Sequence, residues 1–323
     1  MKKLLTALIL LFILTLALPA VAADKTPLVG ILQLVQHPAL DAAREGFIKG
    51  LADAGFTDSD NVKLDYHNGQ GSQDIMASIA DQFVAAPVDL ALAIATPAVQ
   101  ALAGKTESIP ILGTAVTDFV QAKLVETNEH PGFNVSGTSD MNPVAEQIDL
   151  IKRLVPEAKT LGLLYTSSEV NSQIQAALAK ERAEQLGLSV VEVTVNNTND
   201  VQQAAVNILG QVDVLYIPTD NVVASSIALV VEEALSRKIP IAGSEAAHVH
   251  GGGTFTLGID YFKLGEQTGH MAARILRGEA QVSEMPIERQ DQFDHLINKT
   301  YMEALGLAIP EDLLPFAIEV GQP

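Results

Sequence analysis

The residues with the most chemistry to offer lie just beyond strand-like apolar runs. After the run ending at Ile94 comes Ala95-Thr96-Pro97-Ala98, and after the run ending at Ile217 comes Pro218-Thr219-Asp220-Asn221. Thr and Asp cap helix N-termini and Pro suits the first helical turn, so each cluster predicts a helix start, with Thr96 and Asp220 as caps. Unpaired N–H groups at such starts attract anions, and a carboxylate attracts cations. If the two tips face each other, they make a cleft that holds an anionic group at Thr96 and a cationic group at Asp220. Taken singly, capping accounts for either residue at about 1 kcal/mol; their matched placement is what favours binding. Other polar tips join them: Gln33, Gln36 and His37; Thr114, Thr117 and Asp118; the loop Tyr165-Thr166-Ser167-Ser168-Glu169-Val170-Asn171-Ser172; and Ser244-Glu245. Turns favour these residue types anyway. Every cluster, however, lies at the carboxyl edge of its strand, where open parallel sheets bind ligands.

Absences narrow the chemistry further. Arg44, Arg153, Arg182, Arg237, Arg274 and Arg277 fall in helix-like stretches, which argues against a bidentate clamp for a carboxylate or phosphate. Amides and hydroxyls would hold any ligand carboxylate, favouring a zwitterion over a phosphate. No nucleophile elbow, phosphate loop, metalloprotease or dinucleotide fingerprint occurs, so the chain is expected not to be an enzyme. His248 and His250 with Glu245 lack a third and fourth ligand at recognisable spacing, so neither metal nor cofactor is expected. Asp140 and Asp260 read as hinge or turn residues rather than an acid–base pair.

The elements that must position these tips alternate strand and helix, the sign of a parallel α/β sheet. Val29–Leu32 reads as a strand, Ala39–Ala54 as a helix ended by Gly55, and Val62–Tyr66, Val88–Ile94 and Pro110–Leu112 as further strands, with helices from about Asp74 and Pro97. A second copy follows at a nearly constant offset: Leu161–Tyr165 echoes the first strand, Gly187 echoes Gly55, and Lys238–Ser244 matches Ser108–Thr114. Two doubly wound parallel-sheet lobes joined by a multi-crossing hinge are predicted. The stretch 114–143 breaks the rhythm and is assigned the first crossing, Gly251-Gly252-Gly253 to Asp260 the second, and 287–297 the third. The N-terminal lobe is thus residues 24–140 and 261–285, and the C-terminal lobe 141–260 and 286–323.

Lys2 and Lys3 precede an apolar run from Leu4 to Leu18 and a small-residue site before Asp24. This pattern reads as a cleavable signal peptide over residues 1–23, the run being shorter than the roughly 20 residues that span a bilayer. The chain has no cysteine, which removes disulfides, a thiol nucleophile and a lipid-bearing N-terminus, and points to a Gram-negative periplasm. Formal charge is −19, and losing Lys2 and Lys3 with the leader deepens it, so nucleic acid and anionic membrane are poor partners.

The runs Thr138-Ser139-Asp140-Met141-Asn142-Pro143-Val144-Ala145-Glu146-Gln147, Tyr165–Ser172, Tyr216-Ile217-Pro218-Thr219-Asp220-Asn221 and Gly258-Ile259-Asp260-Tyr261 resemble the TrpX-like family of ABC transporter substrate-binding proteins over nearly the whole mature chain. The resemblance implies a type I periplasmic-binding-protein fold, a monomer that binds an aromatic amino acid by hinge closure, and a membrane permease as partner. Carried over by position, Ser168, Glu169, Asn171, Ser172, Asp220 and Asn221 become candidates for the ligand's polar end, with Thr96, Thr117 and Asn142 opposite; Glu245 completes the set from its strand tip. The missing lipoprotein cysteine departs from the Gram-positive pattern. A branched-chain amino acid or another small solute is the alternative ligand, and a secreted α/β hydrolase the alternative class.

Overall fold

The structure is a computed structural model that describes residues 26–320; the signal-peptide reading lies outside the described residues. Two sheets form. The first has strand order β11-β5-β4-β3-β1-β2, built from β1 (Leu28–Gln33), β2 (Lys63–Asn68), β3 (Leu90–Ile94), β4 (Ile111–Val116), β5 (Val135–Ser139) and β11 (Glu288–Arg289). The second has order β13-β12-β10-β9-β8-β6-β7, from β6 (Thr160–Thr166), β7 (Ser189–Val195), β8 (Val214–Ile217), β9 (Ile241–Gly243), β10 (Phe255–Gly258), β12 (Asp294–Asn298) and β13 (Ala317–Ile318). All pairings are parallel except β10 with β12. The five-strand orders 5-4-3-1-2 and 10-9-8-6-7 are the same, so the repeat legible in the sequence is a repeat of topology.

The sequence explains this layering. Strands β3, β4, β5, β8, β9 and β10 are buried at every position, as strands covered by helices on both faces must be. In the edge strands β2 and β7 every residue but Val195 is partly buried or exposed. The helices that cover the first sheet include α1 (Pro38–Asp53), α2 (Gln73–Ala85) and α3 (Thr96–Ala103); the second carries α4 (Val144–Leu154), α5 (Val170–Gln185), α6 (Thr198–Ile208), α7 (Asn221–Ser225), α8 (Ile227–Arg237) and α9 (Ala246–His250). Helix α10 (Tyr261–Leu276) returns to the first lobe and packs on α1. Its approach is close enough that a Cβ on Gly46 would lie 1.9 Å from the Phe262 carbonyl oxygen, and one on Gly265 1.9 Å from that of Ala43.

The chain passes between the sheets three times, at narrower places than the sequence indicates. The first passage is residues 140–143, because β5 belongs to the first sheet instead of to a connection. The second is Ile259-Asp260, because the Gly251-Gly252-Gly253 turn precedes β10 inside the second lobe. The third is 290–293, because β11 pairs with β5 through Glu288↔Thr138 and Arg289↔Ser139; residues 286–289 therefore sit with the first sheet, not the second. Short polar strands such as Val135-Ser136-Gly137-Thr138-Ser139 carry too little apolar periodicity to be read as strands from composition. Among the described residues no helix is long and apolar enough to cross a membrane.

Candidate functional site

The carboxyl ends of both sheets face one another, and the second lobe's tips form a single network before they meet the first. Asp220 caps α7 by accepting from Val223 N at 2.8 Å, and it also accepts from the Thr166 amide and the Thr166 hydroxyl at the end of β6. The turn between β8 and α7 is fixed through Thr219: its carbonyl accepts from Asn171 Nδ2 at 2.9 Å and Ser172 Oγ at 3.0 Å, and its amide donates to Gln175 Oε1 at 3.1 Å. Glu169 accepts from Asn171 Nδ2 at 2.9 Å and from the Asn221 side chain. Two helix starts and two strand ends are thus locked together by side chains that are themselves buried.

The first lobe meets this network directly. His37, after β1, places Nε2 3.2 Å from Asn221 Oδ1. Thr117, after β4, donates to Asp140 Oδ1 at 2.8 Å and lies 3.3 Å from the Thr219 hydroxyl. Since the Thr117 proton goes to the carboxylate, Thr219 donates across the lobes. Asp140 sits at the first crossing and also accepts from the Tyr261 hydroxyl at 2.8 Å, at the start of α10. The lobes are closed on each other, with hinge and cleft sharing one hydrogen-bond chain.

Between the tips is a cavity about the size of one water molecule or one ammonium group, walled by Leu40, Ala115 and Tyr261 together with His37, Asp140, Asn171, Thr219, Asp220, Asn221 and Glu245. Ala115 faces it because β4 has a bulge between Gly113 and Val116, and Ala115 takes a φ of +57° there. Asn221 also lines a wider groove at the mouth of the cleft, where Leu34, Val35 and Pro97 of the first lobe face Ser168, Glu169 and Val222 of the second.

Four carboxyl groups gather here, and among the described residues every Lys and Arg ion pair lies in solvent-exposed or partly exposed surroundings. Burial pushes Glu169 up to about 8, the charge of Asp220 adding to it, and pushes Glu245 up to about 8 with help from Asp140. Asp140 and Asp220 are also raised by burial. Burial holds His37 down at about 4 and His248 at about 3, so both imidazoles are neutral. Removing charge from water costs free energy unless partners replace the hydration. Several buried polar atoms here have no protein partner: His37 Nδ1, Asn171 Oδ1, Glu245 Oε1, Thr96 Oγ1 and both side-chain polar atoms of Asn142.

Of the residues singled out in the sequence, Glu169, Asn171, Ser172, Asp220 and Asn221 come together in the second lobe's network, and Thr117 reaches it from the first. Glu245 joins through the cavity. Asn142, buried at the first crossing, lies near Gly258. Ser168 is exposed at the mouth. Thr96 does not cap α3: Ala95 holds the cap position at φ +85°, with no side-chain cap, and Thr96 is the first helical residue. A tight turn replaces the capping hydroxyl, because the Ala95 carbonyl already accepts from Ala98 and Val99. Arg44 is closer to a tip than a helix position implies, donating to Gln33 Oε1 at 2.9 Å, though it does not line the cavity. Arg289 lies in β11, exposed at the hinge. Sequence reasoning passed over His37, Thr219, Asp140 and Tyr261 as site residues. The first two stood in clusters it named; the role of the others depends on the hinge folding back beside the tips.

The family model described as ABC transporter substrate binding protein matches residues 28–321. A tyrosine-binding protein of Clostridioides difficile is 43% identical over 285 residues, spanning 88% of this chain and 82% of that one. The crystal structure of an ABC domain in complex with L-Trp from Streptococcus pneumonia is 40% identical, covers 92% of this chain and all of that one, and superposes with a TM-score of 0.88. A ligand-free, open substrate binding protein from Clostridium difficile, 44% identical over 91% of this chain and all of that one, gives 0.69. At similar identity, the lobes here sit closer to the arrangement of the tryptophan complex, in keeping with the bonds that join them. The match over residues 28–321 and the 43% identity across most of both chains show that this chain belongs to the ABC transporter substrate-binding protein family.

Proposed function

We propose that this protein is the receptor of an ABC importer for an aromatic amino acid, working as a monomer in the periplasm and handing its ligand unchanged to a membrane permease. The observation that carries the reading is the closed cleft itself, where buried polar atoms from both lobes remain without hydrogen-bond partners beside a mouth in which Leu34, Val35, Pro97 and Val222 stand among polar side chains. Such atoms are costly unless a ligand satisfies them. The names of the 43% and 40% identical relatives, one tyrosine-binding and one holding L-Trp, support the choice of ligand. The residues we assign to the polar end are Glu169, Asn171, Ser172, Asp220, Asn221, Glu245, Thr117, Thr96 and Asn142, with Ser168 at the rim and His37 and Asp140 added. The side-chain ring lies in the mouth groove against Leu34, Val35, Pro97 and Val222. Ligand contacts to both lobes stabilise the closed form, which the permease recognises.

A thermal-shift screen of the amino acids tests the reading. A ligand at about 100 times its Kd stabilises by about 2.7 kcal/mol, so L-tyrosine, L-tryptophan or L-phenylalanine should raise Tm by several degrees. A rise with aliphatic amino acids or sugars alone would overturn the assignment.

A further inference from the structure

We propose that the charge this site recognises is the ligand's ammonium group, and that aromatic amines with no carboxylate are ligands alongside the amino acids. The inference rests on the amino-acid reading above and narrows it.

Acceptors outnumber free donors around the small cavity. The side-chain donors on its wall are committed except for one N–H of the Asn221 amide. Asn171 Nδ2 is committed to Glu169 and the Thr219 carbonyl, and Asn221 Nδ2 to Glu169. Because these partners are acceptors, the amide orientations are fixed. The Tyr261 hydroxyl goes to Asp140, and the Thr219 hydroxyl goes to Thr117. His37 is neutral and faces Asn221 Oδ1, which can only accept, so the imidazole proton is on Nε2 and Nδ1 is a bare acceptor. The wall atoms left without a hydrogen-bond partner are His37 Nδ1, Asn171 Oδ1 and Glu245 Oε1, the last standing 3.6 Å from His248 Nε2 of a neutral imidazole. All three are acceptors on residues no more than 5% exposed.

An ammonium group brings three N–H donors and one positive charge. It fits a space of this size, and it neutralises a place where Asp140, Asp220 and Glu245 meet with Glu169 behind them. A carboxylate in the same space would set acceptors against acceptors and add charge of the same sign. It therefore stays outside, in the solvent-open mouth groove beside Ser168, where contacts are screened and contribute little. The remaining unpartnered donors, such as Asn142 Nδ2, lie off this wall.

Isothermal titration of the mature chain with two ligand triads decides the matter: L-tyrosine, tyramine and 3-(4-hydroxyphenyl)propionate, and L-tryptophan, tryptamine and indole-3-propionate. In the triad whose amino acid binds, the amine should retain affinity within about tenfold, which is about 1.4 kcal/mol. The deaminated acid should lose at least about 100-fold, as expected for charge-assisted bonds forfeited together. An amine weaker than its amino acid by more than tenfold overturns this inference and leaves the amino-acid reading standing. Failure of every amino acid and every amine overturns both. Glu245→Gln keeps the side chain's shape and cannot ionise when a ligand cation arrives, so it should fold; circular dichroism checks that it does. The folded variant should bind the amine at least about tenfold more weakly, and unchanged affinity would place the ammonium elsewhere.

Discussion

Asp220 shows how a residue chosen as a ligand contact acquires a second duty. Its carboxylate accepts from the Val223 amide, the Thr166 amide and the Thr166 hydroxyl, so it joins the end of β6 to the start of α7 while facing the cavity. Asp220→Ala removes a helix cap, worth about 1 kcal/mol, and leaves the buried Thr166 amide unsatisfied at about 1–3 kcal/mol. A loss of about 2–4 kcal/mol in urea denaturation without ligand is expected. A stability equal to wild type would mean the carboxylate serves the ligand alone. Glu245 is the contrasting case, since its Oε1 has no hydrogen-bond partner and its substitution should tell on binding more than on folding.

The critical contact among the elements is the crossing of α1 and α10. Helix α10 leaves the hinge at Asp260, which caps it by accepting from Phe262 and Lys263, and its glycines allow backbone to touch backbone on α1. The contact fixes Tyr261, and with it Asp140, relative to the His37 end of α1. Gly265→Leu would force a side chain into the Ala43 carbonyl, where only backbone could yield. Overpacking of this kind should cost about 3 kcal/mol, measured by chemical denaturation. A neutral result would show that α10 can slide on α1 without consequence. The strained turns at Ala95 and Ala115, with φ of +85° and +57°, lie at the ends of adjacent strands β3 and β4, where the cleft floor is made; such strain gathers at functional sites.

At the scale of the whole molecule, closure is a proton-linked equilibrium. Opening the cleft returns Glu169 and Glu245 to water and toward their ordinary carboxylate range, whereas closure holds both at about 8. The closed form without ligand therefore binds more protons, and raising pH from 6.5 to 8.5 favours opening. Asp140 and Asp220 shift in the same direction, and Tyr261, raised well above its ordinary value, stays neutral throughout. His37 and His248, held near 4 and 3, oppose closure only below about 6.5, where they would otherwise charge. Small-angle scattering should show the ligand-free radius of gyration increasing over that window. With saturating amino acid the increase should vanish, because an ammonium then stands where a proton stood. A ligand-free radius that is constant or decreases with pH would refute the linkage.

The sequence by itself determined the lobes and the edge on which they bind. Apolar runs at constant offset force strands and helices to alternate, and capping residues mark where each strand ends, so Asp220, Glu169 and Asn171 were legible as tips. These are local properties of short segments. It did not determine that Ala95 would take the cap position from Thr96, that β5 and β11 would join the first sheet, or that Asp140 and Tyr261 would close the cavity wall. The first is a matter of backbone packing against β4, and the others depend on pairings between distant segments, above all Ser139 with Arg289 and Asp140 with Tyr261. Which hydrogen-bonding atoms remain without partners is likewise a property of the packed interface. Only the tertiary structure could turn a polar cleft into one with three acceptors left without hydrogen bonds and, among the described residues, no Lys or Arg on its wall.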